Sequence, residues 1–214
     1  MSLTDYAQNK IVDAVYRGQP LNAPATRYYG LFTSSKGERA NSTAYAVNDT
    51  VVVKIGSKYS FYKCTTAGTT GAALPTTPAY LGAISEAITD GSAVFTEQSA
   101  ALDAAGFVEV IGAGYARVAV AASLANFSGT QAPGTTVAST GTNGTTSNNA
   151  AITYPAPTAQ WHPTGGAIVG MFASDAATGG NAWDWGLNGA TKNVNAGDAA
   201  PSFGAAGLAF QLGS

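Results

Sequence analysis

The chain has 214 residues, of which only 10% are charged, with one histidine, one cysteine and a net charge of −2. Enzyme sites usually bring several titratable groups together in one pocket, so we expect a protein without catalytic residues, cofactor or bound metal. The weak net charge disfavours nucleic acid as a partner, and the lack of an apolar run of about 20 residues disfavours insertion into a membrane.

The first 18 residues predict an amphipathic helix. Apolar side chains recur at spacings of three and four, at Leu3, Ala7, Ile11, Ala14 and Val15. We expect Ser2 to cap the start of the helix and Gly18 to end it in a left-handed conformation. The chain begins without the basic and apolar regions of a secretion signal, so we expect synthesis in a cytoplasm without processing.

Beyond residue 24 the pattern changes to short β-type runs separated by Gly, Asn, Pro and Ser. We expect strands at residues 28–32, 51–55, 59–65, 107–111, 115–122, 151–154, 167–172, 182–187 and 208–212. Many short strands with this turn chemistry favour an all-β sandwich or barrel-like fold.

The middle of the chain is predicted to form a small β unit of its own. It contains a hairpin that turns at residues 56–57 and a tight Asp90-Gly91 turn that leads into its last strand. A unit of about 60 residues is near the lower limit for an independent fold. We expect an inserted module of residues 40–99 in a discontinuous base domain of residues 1–39 and 100–214.

Residues 127–150 are rich in Gly, Thr and Asn and hold little apolar surface. Such a segment cannot bury enough area to fold alone. We therefore expect a long loop or arm that becomes fully ordered only against a neighbouring chain.

Only a few side chains could be considered for catalysis. They are Asp49, Glu86, Asp90 and Glu97 as paired carboxylates, and His162 as a general base. Asn48-Asp49 and Asp90-Gly91 both suit turns, so we interpret these acids as structural. His162 is followed by a proline and is interpreted as a packing or hydrogen-bonding residue.

Three residues are candidates for an interface. Alternation along a strand would place Trp183 and Trp185 on one face with Asp184 opposite, either in the core or as anchors against another subunit. Alternation over residues 115–120 would likewise point Arg117 to solvent or to a neighbouring subunit. The interface candidates are therefore Trp183, Trp185 and Arg117.

Five short motifs follow one another along the chain. They occupy residues 3–10, 23–33, 112–120, 148–155 and 175–180. In this order they resemble a structural family of tailed bacteriophages that includes tail-fibre-like proteins and is related to jelly-roll proteins that decorate or cement phage heads. The resemblance covers most of residues 1–36 and 101–214, and it implies a jelly-roll-like β-sandwich with an N-terminal helix.

The inserted unit opens with Tyr45-Ala46-Val47-Asn48-Asp49 and closes with Asp90-Gly91-Ser92-Ala93-Val94-Phe95. It resembles small β modules of phage structural proteins that are similar to chitin- or carbohydrate-binding modules. The resemblance implies a projecting knob that stacks a host glycan on aromatic rings. All three tryptophans lie outside the unit, so the candidate stacking residues are Tyr45, Tyr59, Phe61, Tyr62 and Tyr80.

These features favour a bacteriophage protein of the virion surface, made in the host cytoplasm, that acts by contact area. We expect a capsid decoration or cement protein that binds the major capsid protein and its own copies, as a trimer or dimer. The alternative is a tail-fibre or tail-tip protein that recognises host glycan through the inserted module.

Overall fold

A computed structural model describes residues 2–55, 58–76, 80, 87–98 and 108–212. These residues form one helix and fifteen strands, which confirms an all-β fold with an N-terminal helix. In chain order they are β1 (Ser2–Leu3), α1 (Asp5–Tyr16), β2 (Thr26–Ser34), β3 (Ala44–Tyr45), β4 (Thr50–Ile55), β5 (Lys58–Thr66), β6 (Gly68–Thr69), β7 (Ala87–Asp90), β8 (Ala93–Glu97), β9 (Val118–Ala121), β10 (Thr145–Ser147), β11 (Ile152–Thr153), β12 (Ala167–Ser174), β13 (Ala182–Lys192), β14 (Ser202–Phe203) and β15 (Ala209–Gln211).

The helix begins two residues later than the capping pattern predicts. Thr4, not Ser2, is the N-cap, because residues 2 and 3 pair with β13 as strand β1. The Thr4 hydroxyl accepts from the Ala7 amide and donates to the Ala182 carbonyl at 2.6 Å, which ties the helix start to the sheet. Gly18 has a φ of +66°, the left-handed conformation expected just beyond the helix end.

The base of the molecule is a five-stranded antiparallel sheet in the order β1-β13-β12-β2-β9. Strand β12 lies at its centre and is buried along its whole length. Residues 108–110 extend the β9 edge, since the Thr33 amide donates to the Val108 carbonyl and the Val110 amide to the Leu31 carbonyl. Of the strand predicted at 107–111, only the bridge between Glu109 and Phe32 is present, and residue 107 lies outside the described residues.

One face of this sheet forms the first core. Two ribbons, β10 with β15 and β11 with β14, belong to the same half of the chain, and the second contributes Ile152 and Phe203 to this core. Its buried members are Tyr29, Leu31, Val110, Ile152, Tyr154, Trp161, Ile168, Met171, Ala173 and Val194. The alternation of β2 and β12 sends their remaining apolar side chains to the opposite face.

The opposite face packs directly against the middle unit, whose strands form a second sheet in the order β4-β5-β8-β7. Val52 and Phe61 of that sheet contact a cluster of base residues that includes Phe32. The rings of Phe61 and Phe32 lie edge to face, with centroids 5.7 Å apart. The middle unit is therefore not a projecting knob. It is the second layer of a two-sheet arrangement. We call the core between the two sheets, which includes Phe32, Val52, Phe61 and Trp185, the intersheet core.

The other face of the second sheet has a core of its own, in which aromatic rings dominate. A buried ion pair closes this unit: Arg39 Nε and Nη2 donate to the two carboxylate oxygens of Asp90 at 2.8 and 2.9 Å. The Gly71 amide and the Tyr80 hydroxyl also donate to Asp90. The predicted Asp90-Gly91 turn is present, with Gly91 at a φ of +64°.

The segment 127–150 folds within this chain, contrary to the expectation of an arm that needs a neighbour. Strand β10 pairs with β15, and the buried hydroxyls of Ser128 and Ser147 lie 3.0 Å apart. The Asn149 side-chain amide donates to the carbonyls of Ala125 and Thr135. Hydrogen bonds within the chain order this segment. The low apolar content had led us to expect that only a neighbouring chain could do so.

We predict that Phe61→Ala lowers the free energy of unfolding by about 3–5 kcal/mol, because it opens a cavity in the intersheet core. Val47→Ala, at a side chain that is 52% exposed, should change it by no more than about 0.5 kcal/mol. Urea denaturation of both variants measures the difference. Equal effects would contradict the packing described.

We also predict an acid-sensitive contribution from Asp90. Burial alone would raise the pKa of its carboxyl, but hydrogen bonds from Arg39, Gly71 and Tyr80 outweigh burial and lower the pKa. Since the unfolded value is about 3.9, this stabilisation is present above that pH and is lost as the pH falls through the lower folded pKa. Asp90→Asn should be less stable at neutral pH and lose less stability on acidification. Parallel pH profiles of the two proteins would contradict the prediction.

Candidate interaction surface

The side chain of Arg117 is only 6% exposed, so it is not the solvent-facing or intersubunit residue that alternation predicts. Its Nε and Nη2 donate to the Glu109 carboxylate, each at 2.8 Å. Its Nη1 donates to the carbonyls of Ala176 and Gly179. The arginine precedes β9 and turns inward because these acceptors, from the segment around Glu109 and from the loop between β12 and β13, satisfy its guanidinium within the chain.

Neighbouring residues complete this cluster around Arg117 and Glu109, which we call the Arg117 tie. The Tyr115 hydroxyl donates to Glu109 at 2.9 Å and accepts from the Leu31 amide at 2.8 Å, and burial raises the pKa of this phenol well above its usual range. The guanidinium lies over the ring of Phe172 at 4.9 Å. Burial alone would lower the pKa of Arg117, but the hydrogen bonds and charge of Glu109 raise it. The cluster links motifs that the sequence places about 60 residues apart.

The two tryptophans do not share a face. Ser174 pairs with Ala182 and Ala173 with Asp184, so Trp183 is the extra residue of a β-bulge. Trp183 contacts the ring of Tyr6 on α1, whereas Trp185 packs in the intersheet core. Both side chains are about 6% exposed. Neither offers a free indole face to another subunit in the described arrangement.

The tyrosines expected to stack glycan are core residues wherever their side chains are described. Tyr45, Tyr62 and Tyr80 are 4%, 1% and 2% exposed. The rings of Tyr62 and Tyr80 pack edge to face, with centroids 4.7 Å apart. These rings have no exposed face on which a sugar could lie, while the side chain of Tyr59 lies outside the described residues.

The residues considered for catalysis have structural partners instead. Asp49 accepts from the Ala46 amide, as a turn residue does, and Glu97 accepts from the Ser60 hydroxyl. Glu86 lies outside the described residues. Nδ1 of His162 lies 3.1 Å from its neighbour's carbonyl, that of Pro163. Across the ranges that the structure describes, no three His, Cys, Asp or Glu side chains lie close enough together to hold a metal ion.

An apolar cavity of about 380 Å³ opens beside α1, and we call it the helix cavity. Its apolar lining includes Ile11, Leu21, Phe127, Leu208, Phe210 and Leu212. Arg27 and Asp184 lie in the same lining and form an ion pair through Asp184 Oδ2. Asp184 is only 5% exposed, and its other oxygen, Oδ1, is buried without a hydrogen-bond partner among the described residues.

The outer face of α1, next to this cavity, is apolar and exposed. Val12, Val15 and Tyr16 are 48%, 64% and 81% exposed. The predicted buried stripe is therefore wrong at Val15, which is exposed. Ala7 is the residue of α1 that is fully buried. Sequence reasoning did not find the helix cavity. The one sequence feature that could have indicated it is an apolar face of α1 that is broader than a single buried stripe.

Comparison with known protein families gives a match over the second half of the chain. Residues 92–211 match the family described as podophage GP4 fiber I protein gp80, which is more than half of the chain. No curated protein matches the chain. Within the described residues, α1 is too short to cross a bilayer and no other helix is present.

We predict that Arg117→Ala lowers the free energy of unfolding by roughly 3 kcal/mol, because it leaves Glu109 without its buried partner. The matched control is Arg17→Ala, which breaks an exposed pair with Asp13 one helical turn away and should cost no more than about 0.5 kcal/mol. Thermal and chemical denaturation measure both. A loss at Arg117 as small as that at Arg17 would refute the role of this tie.

Proposed function

Because the chain belongs to the family of podophage GP4 fiber I protein gp80, we propose that this bacteriophage virion structural protein is a fibre component on the particle surface. The family match carries the proposal. It covers β8 to β15 and every residue of the Arg117 tie except Leu31, so most of this tie lies in the region that matches the family.

The chemistry of the chain supports a role based on contact rather than turnover. Three arginine–carboxylate pairs, Arg27–Asp184, Arg39–Asp90 and Arg117–Glu109, each bury at least one partner inside the fold. With so few charges in the chain, the remaining surface is polar but weakly charged. Such a surface costs less to desolvate than a highly charged one when proteins associate, as assembly into a particle requires.

The partners we propose are other virion proteins and further copies of this chain. The described tyrosines of the middle unit are buried, so the glycan-binding hypothesis gains no support from them. Capsid decoration, in which the major capsid protein would be the partner, differs from a fibre role in the number of copies per particle. It requires copies across the whole shell, whereas a fibre requires copies only where fibres attach.

Copy number therefore tests the proposal. We predict that quantitative mass spectrometry of purified particles, normalised to the major capsid protein, finds between a few and a few dozen copies. Immunogold labelling should then mark the tail region. Hundreds of copies with label over the shell would replace the fibre role with decoration, and absence from particles grown in infected cells would refute both.

A further inference from the structure

We propose that a second cavity, between β13 and residues 201–209, binds the hexuronic acid unit of an acidic saccharide through Lys192 and Asn188. Its volume is about 460 Å³, and we call it the bulge cleft. This binding site goes beyond the virion role proposed above and does not depend on it.

The cleft lies beside an irregularity in β13. Leu187 pairs with Gly170 and Lys192 pairs with Ile168, so residues 188–191 lie opposite Val169 alone. Residues of such a bulge leave the ladder between the strands, and here Asn188 lines the cleft. The pairing of Lys192 with Ile168, which belongs to the same lining, holds the lysine backbone at the cleft.

The inner part of the cleft is apolar. Its lining reaches the first core at Ile168 and Met171, which are both 2% exposed. Leu187 and Phe203 are half-buried, so part of this apolar wall remains accessible. The C–H face of a pyranose ring is apolar and packs against such a wall. The cleft volume lies within the range of about 300–1,000 Å³ typical of small-molecule sites.

The polar groups of the cleft lie where a ligand can reach them. Lys192 and Ser202 are exposed, and Asn188 is half-buried. A side-chain amide and a hydroxyl each donate and accept hydrogen bonds, as the hydroxyl groups of a sugar also do. The lining therefore combines an apolar wall with groups that match a polyhydroxylated ring.

The charge of the cleft selects an acidic sugar over a neutral one. Lys192 is the one charged residue among the described residues that line the cleft. It takes part in none of the ion pairs formed within the described ranges. One ammonium group balances one negative charge, and its hydrogen bond to a carboxylate is stronger than one between neutral groups.

The three properties together define the ligand. An apolar carboxylate would make no use of the amide of Asn188 or the hydroxyl of Ser202. A neutral sugar would leave Lys192 without a counter-charge. A pyranose ring that bears a carboxylate meets all three properties, and that is a hexuronic acid.

Three probes separate these properties in NMR titrations of the full chain. Methyl glucuronide carries the ring and the carboxylate, methyl glucoside carries the ring alone, and cyclohexanecarboxylate carries the charge on an apolar body. We expect methyl glucuronide to bind about tenfold more tightly than either of the others, because only it makes both the charged and the hydroxyl contacts. The amide signals that shift should be those of residues 187–192 and 202–209.

Two pairs of variants locate the site. Lys192→Ala should weaken binding of methyl glucuronide by about tenfold and leave methyl glucoside unchanged, whereas Lys10→Ala removes the same charge from α1 and should change neither. A Cβ at Gly189 would meet no heavy atom within 4 Å, so Gly189→Trp should fold and obstruct the cleft, and Gly189→Ala should still bind. Circular dichroism melting checks each fold, and if Gly189→Trp does not fold, the two lysine variants decide.

No binding of methyl glucuronide at millimolar concentrations would overturn the proposal. Equal binding of methyl glucoside would contradict the role of Lys192, and equal binding of cyclohexanecarboxylate would contradict recognition of a sugar ring, so either result would also overturn it. Binding that survives both Lys192→Ala and Gly189→Trp would place the ligand elsewhere. None of these results bears on the virion role, which depends on the presence of the protein in particles.

Discussion

The structure depends on one packing interaction, the burial of Phe61 and Val52 against Phe32 between two sheets. Strands β4 and β5 have apolar side chains on both faces, so the second sheet cannot detach from the base without exposing Val52 and Phe61. The middle unit is thereby held to the base as a second layer. The rigidity needed to present a defined surface on a particle follows from this shared core.

Three arginines form ion pairs that are at least partly buried in the fold. Arg39–Asp90 closes the middle unit, Arg117–Glu109 joins loops of the base, and Arg27–Asp184 lies in the helix cavity. Each pair gains geometric specificity from its charge-assisted hydrogen bonds. The weakly charged surface that is left suits contact with other proteins.

The sequence predicts local structure well and side-chain direction poorly. Apolar β-branched runs correctly mark β4 and β12, and Gly18 marks the helix end. Strand alternation fails at Trp183, because a bulge adds one residue that no local pattern announces. It fails at Arg117 because the acceptors come from distant loops, which only the tertiary fold brings together. The helix cavity has the same origin, since its walls come from both ends of the chain.

The central claim is that the two sheets form one cooperative body through the intersheet core. Differential scanning calorimetry of the full chain tests it most directly, because a single two-state unit has equal calorimetric and van't Hoff enthalpies. The account predicts one transition with equal enthalpies. Two separable transitions, one of them assignable to residues 40–98, would show that the middle unit folds apart from the base and would contradict it.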